Sequence, residues 1–154
     1  MKREYQAPST ALPDLRRKLF TIAAAFVAAQ LSYCFVGYFV ISSVRDSTPR
    51  EADHMILVMA LMFVAVSALT ASFVVVTTIA QQTASVAPQQ SLSKQLIIGS
   101  AMSEAPALIG LALFFLGSQL VVLVVLAGMS AAAIVAHYLR VSSKLEKLQH
   151  GSPR

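Results

Sequence analysis

Four long runs of apolar and small residues, separated by short polar stretches, make up most of this chain. The first runs from Leu19 to Val44, with Gln30 its main polar interruption. Met55 to Ala80, Leu96 to Leu116 and Leu120 to Leu139 follow. A helix of about 20 apolar residues crosses the hydrocarbon core of a bilayer, and each run reaches that length. The pattern predicts an all-α fold, an integral membrane four-helix bundle built as two helical hairpins. Its transmembrane domain covers residues 13–148, with a flexible N-terminal tail at 1–12 and a C-terminal tail at 149–154.

The separators carry their own signals. Pro13 suits the first position of a helix, and Asp14 suits its positive dipole end. Between the first two runs, Thr48 and Glu51 have capping-box spacing around Pro49 and predict a helix start. Gln81 to Lys94 is polar and reads as the longest internal loop. Gly117-Ser118-Gln119 leaves room only for a tight turn between antiparallel helices.

Composition supports the lipid reading: of 154 residues, 56% are hydrophobic and 12% charged, against about 25% charged in a soluble domain. The formal net charge is +5, but the basic residues sit beside the apolar runs rather than in a patch interleaved with aromatics. Nucleic acid is therefore not an expected partner. The flank through Lys18 has five basic and two acidic residues; the flank from Arg140 has four and one. Lys94 makes the middle loop positive, and the first loop, Arg45 to His54, is net negative. Four spans put both ends and the middle loop on one side. The Lys/Arg bias makes that side the cytoplasm of a multi-pass protein in a bacterial inner membrane. The lone cysteine, Cys34, reads as a small buried hydrophobe.

The third run carries the chemistry. Glu104 is the only charged residue between Lys94 and Arg140, and an ionisable group at membrane depth is a functional candidate by default. Gly99, Ser103, Pro106, Gly110 and Gly117, spaced 4, 3, 4 and 7, form a small-residue face suited to close helix packing in lipid. Pro106 withholds a donor from the carbonyl of Met102. That carbonyl, the Ser103 hydroxyl and the Glu104 carboxylate make a candidate site for a proton or Na⁺. The same residues also suit a purely structural interhelical link.

Glu104-Ala105-Pro106-Ala107-Leu108-Ile109-Gly110-Leu111 resembles the ion-carrying helix of the proteolipid c subunit of rotary ATP synthases, with Glu104, Ala105, Gly110 and Leu111 on the matching positions. Ala87-Pro88-Gln89 stands roughly where that family has its polar loop. The resemblance covers residues 86–117 and implies a related hairpin with ion binding at Glu104. The chain lacks that family's loop arginine and the repeated glycines of its first helix. A group of four-helix bacterial membrane proteins with a Glu-Ala-x-Ala-x-x-Gly-Leu helix is also similar.

Elsewhere the sequence offers little catalytic chemistry. His137 and Tyr138 fall at the end of the fourth run and read as interfacial. His54 beside Asp53 supplies too few ligands for a zinc site, and no histidine has an evident nucleophile. Gln30 reads as an interhelical hydrogen-bonding group. The expectation is a non-enzymatic membrane protein without catalytic, metal or cofactor sites. It would form a homo-oligomer or join a membrane complex through small-residue faces. The alternative is a proton- or cation-translocating protein built on Glu104.

Overall fold

The computed structural model describes residues 11–43, 55–83 and 88–150. They form four helices: α1 (Ala11–Ser43), α2 (Met55–Thr83), α3 (Pro88–Phe115) and α4 (Leu120–His150). All four are long and apolar enough to cross a membrane, over Pro13–Val40, Ile56–Gln81, Ser91–Phe115 and Leu120–Lys147. The chain is thus a multi-pass helical protein by length and composition. The expected capping box at Thr48–Glu51, and His54 with Asp53, lie outside the described residues.

The helices exceed the apolar runs because amphipathic ends extend them. Pro88 opens α3 eight residues before Leu96, a position where proline costs nothing. Much of the expected loop from Gln81 to Lys94 is therefore helical. This extension pays its ordering cost through packing: Leu92 and Leu96 join Leu19, Val141 and Leu145 in one apolar cluster. Beside it, Lys144 Nζ donates to Gln95 Oε1 at 3.1 Å, and Gln95 Nε2 donates to Ser91 Oγ at 2.8 Å. Likewise α4 continues past Leu139 through the buried Val141 and Leu145.

The pairing of the helices departs from two hairpins. The α3–α4 hairpin forms as expected. At its turn Gly117 has φ 98°, and its N–H bonds Phe114 O while Ser118 N–H bonds Leu113 O. That is a Schellman cap, which requires the left-handed region at its glycine. Gly117 is therefore an exposed turn residue rather than part of a packing face. Helices α1 and α2 make no contact with each other. They lie on different sides of α3–α4, α1 against α3 and α4 and α2 mainly against α3.

Contacts fix the directions. Leu19 meets Leu92 and Leu96, and Tyr33 meets Glu104, so α1 and α3 run parallel. Helix α2 is antiparallel to α3, with Ser72 at Ser103 and Val76 at Gly99. The first turns of α1 and the last of α4 share one end, where Arg16 and Glu146 stand 3.9 Å apart.

Candidate functional site

Helix α3 packs against all three other helices, and its faces divide the polar residues. Ser103, Pro106 and Gly110 are buried, together with Gly99. This small-residue face is consumed inside the bundle: Gly110 lies against Leu126 and Leu123 of α4. Ile97, Ala101, Leu108 and Phe115 face outward, and Glu104 sits half-buried at the border between the two sets.

Glu104 finds its partner on α1. Tyr33 Oη donates to Glu104 Oε1 at 2.5 Å, a separation typical of a hydroxyl on a charged or proton-sharing oxygen. Ser103 belongs to a different interface. Its hydroxyl bonds Ser72 Oγ of α2 at 3.3 Å, while Met102 is half-buried. The three oxygens expected to converge are thus divided, with Glu104 engaged toward α1 and the Ser103 hydroxyl toward α2. From α4, Ser130 Oγ donates to the carbonyl of Ser103, the neighbour of the Met102 carbonyl from which Pro106 withholds a donor.

The larger polar assembly was not anticipated. His137, expected at the interface, is fully buried. Its Nε2 lies 3.1 Å from Ser72 Oγ, and Phe73 stacks on its ring at 4.3 Å between centroids. Arg140 lies 5.5 Å from the centroid of the same Phe73 ring. Gly99 makes room for the imidazole: a Cβ there would stand 3.0 Å from His137 Cγ and 2.8 Å from Val76 Cγ2.

The Ser72 hydroxyl also reaches Leu69 O at 2.7 Å and accepts from Ser103; its role toward His137 Nε2, donor or acceptor, follows the imidazole tautomer. His137 Nδ1 has no hydrogen-bond partner among the described residues.

Three buried side-chain atoms have no hydrogen-bond partner among the described residues: Gln30 Oε1, Ser100 Oγ and His137 Nδ1. Gln30 does not link helices directly; its Nε2 bonds Phe26 O within α1 at 3.4 Å. Cys34 is half-buried and free. No group of three or more His, Cys, Asp or Glu side chains comes together among the described residues.

The sequence marked Glu104 and the small face of α3, but not Tyr33 or the Ser72–His137 pair. The available signal was helical spacing: Gln30 and Tyr33 lie three apart on α1, and Ser100 and Glu104 four apart on α3, each pair on one face. Comparisons with protein-family models, curated proteins and solved structures give no match.

Proposed function

We propose that this chain is a non-enzymatic integral membrane protein of a bacterial inner membrane, with both termini cytoplasmic. In this reading it acts as a homo-oligomer or a subunit of a membrane complex. The observation that carries it is the outward exposure of α1. With the small face of α3 spent internally, one surface available for close association is the exposed series Thr21, Ala25, Ala28 and Ser32, spaced 4, 3 and 4. Such a series lets a second backbone approach closely in lipid. Glu104 then serves as an interhelical link, its carboxylate held by Tyr33. Single-molecule photobleaching in bilayers tests this. Wild type is expected to show multiple steps that Ala28→Leu reduces to one; single-step traces for wild type at all protein-to-lipid ratios would refute self-assembly.

A second reading, a proton or Na⁺ site at Glu104, is favoured by the short Tyr33–Glu104 contact in an apolar setting and by the c-subunit resemblance. A carbodiimide that attacks protonated buried carboxyls reads it out. Labelling that varies with pH and is blocked by Na⁺ or Li⁺ supports ion binding. If Glu104→Gln leaves proton and cation flux into proteoliposomes unchanged, this reading fails.

A further inference from the structure

Every Lys and Arg among the described residues lies at one end of the bundle, at the start of α1, the start of α3 or the end of α4. Packing sets their height. Leu19 clusters with Leu92, Leu96 and Leu145, and Lys144 bonds Gln95, so Lys18, Lys94 and Lys144 stand at nearly one level. Arg140 lies one turn, about 6 Å, closer to the apolar middle. Basic side chains ending apolar spans mark the headgroup level of a bilayer.

The charge is unevenly balanced around this end. Toward α1, Glu146 stands 3.9 Å from Arg16, and Asp14 lies two residues before Arg16. Toward α2 the cations have no such company. Arg140 lies 5.5 Å from the centroid of the Phe73 ring of α2. Lys144, one turn on, reaches across to Gln95 of α3. Lys147 falls about 20° around from Arg140 and continues the stripe. Helix α2 contains no charged residue, and Glu146 points about 160° away from Lys144. Among the described residues no carboxylate pairs with Arg140, Lys144 or Lys147. Lys144 spends one of its three donors on Gln95, and an aromatic face holds a guanidinium without consuming its N–H groups. An oxyanion with several lone pairs suits what is left.

Inward from Arg140 the same groove turns apolar. Helices α2 and α4 run parallel, since each is antiparallel to α3, and α2 packs mainly on α3 rather than on α4. Ala136 and Met129, four and eleven residues before Arg140, continue its stripe, and Val66, seven before Phe73, does so on α2. All three are exposed. The strip runs about 16 Å inward from Arg140. A cationic mouth above an apolar strip matches a molecule with an anionic head and a hydrocarbon tail, and basic pockets between membrane helices bind such headgroups.

We propose that the groove between α2 and α4 at this end binds an anionic phospholipid. Arg140 and Lys144 hold its phosphate, Lys147 faces the edge of the headgroup, and an acyl chain lies along Ala136, Met129 and Val66. A zwitterionic lipid is disfavoured because its own cation would sit beside three like charges. The site rests on the reading that the chain crosses a membrane, and does not require self-association.

Electron paramagnetic resonance of spin-labelled lipids tests it. The full chain is reconstituted in phosphatidylcholine vesicles with a trace of spin-labelled phosphatidylglycerol or phosphatidylcholine, and the motionally restricted fractions are compared. Wild type is expected to favour phosphatidylglycerol several-fold, and Arg140→Gln with Lys144→Gln to remove most of that preference. Arg16→Gln with Lys18→Gln, which deletes as much positive charge beside α1, should leave most of it in place. Should the first pair fail to reconstitute with wild-type helicity by circular dichroism, Lys144→Glu with Lys147→Glu replaces it with the same expectation. Restriction of the phosphatidylcholine label reports membrane embedding by itself, so its loss counts against the spanning reading, whereas equal restriction of the two labels overturns the lipid site alone. Equal losses from the α1 and α4 pairs overturn it as well, by assigning the preference to diffuse surface charge. So does displacement of the label by inorganic phosphate at constant ionic strength, which marks a phosphate site open to water.

Discussion

Two polar groupings flank α3, and they solve the same problem differently. Toward α1 stands a single ionisable group with a single long-reaching partner, Tyr33 on Glu104. Toward α2 and α4 stands a network of Ser72, Ser103, Ser130 and His137, in which short side chains pass hydrogen bonds among three helices. The first is half-buried at the edge of the bundle, the second fully buried. In that interior each of the four groups is bonded to a neighbour on another helix, and in a low-dielectric setting such bonds are strong. At the border one strong bond is enough, because the group keeps access to the outside.

The contrast can be broken hardest at Gly99, where any side chain collides with Val76 and the imidazole. Gly99→Leu is expected to cost about 3 kcal/mol or more by overpacking and to prevent a folded bundle in bicelle unfolding assays. Next is His137→Leu, which keeps volume but removes the hydrogen-bond partner of Ser72, at about 2 kcal/mol. Its double-mutant cycle with Ser72→Ala should show coupling of about 0.5–1 kcal/mol; strict additivity would mean the cluster is not a network. Tyr33→Phe should cost about 1–2 kcal/mol by the same assay and should add independently to His137→Leu. The smallest effect is Arg16→Ala: both members of the Arg16–Glu146 pair are more than half exposed, so its loss should change stability by about 0.5 kcal/mol or less. That small difference should vanish in high salt.

Much of the fold was legible because lipid imposes a strong pattern. The four runs, the α3–α4 turn at Gly117 and the buried small face around Gly110 follow from apolar length and spacing. The helix extensions were not, since the segment from Pro88 to Gln95 is polar and is held only by distant partners such as Lys144. Nor was the placement of α1 and α2 on separate sides of α3–α4, because nothing local ties a helix to its neighbour in sequence when the loop is long enough to let it stray. Glu104 announced itself by its charge. His137 did not: near the end of an apolar run an imidazole suits an interface as well as a core, and only the space opened by Gly99 on another helix decides between them.

The lack of any interface between α1 and α2 bears on how the protein is made. As the chain leaves the ribosome, the first two spans emerge with no surface that recognises the other. They must wait in the membrane as separate helices until α3 arrives, which contacts both, and α4 follows to complete the surface that α1 packs on. Assembly is therefore gated by synthesis of the third span. A chain truncated after Thr83 is expected to insert two helices that remain unpaired and open to quality control.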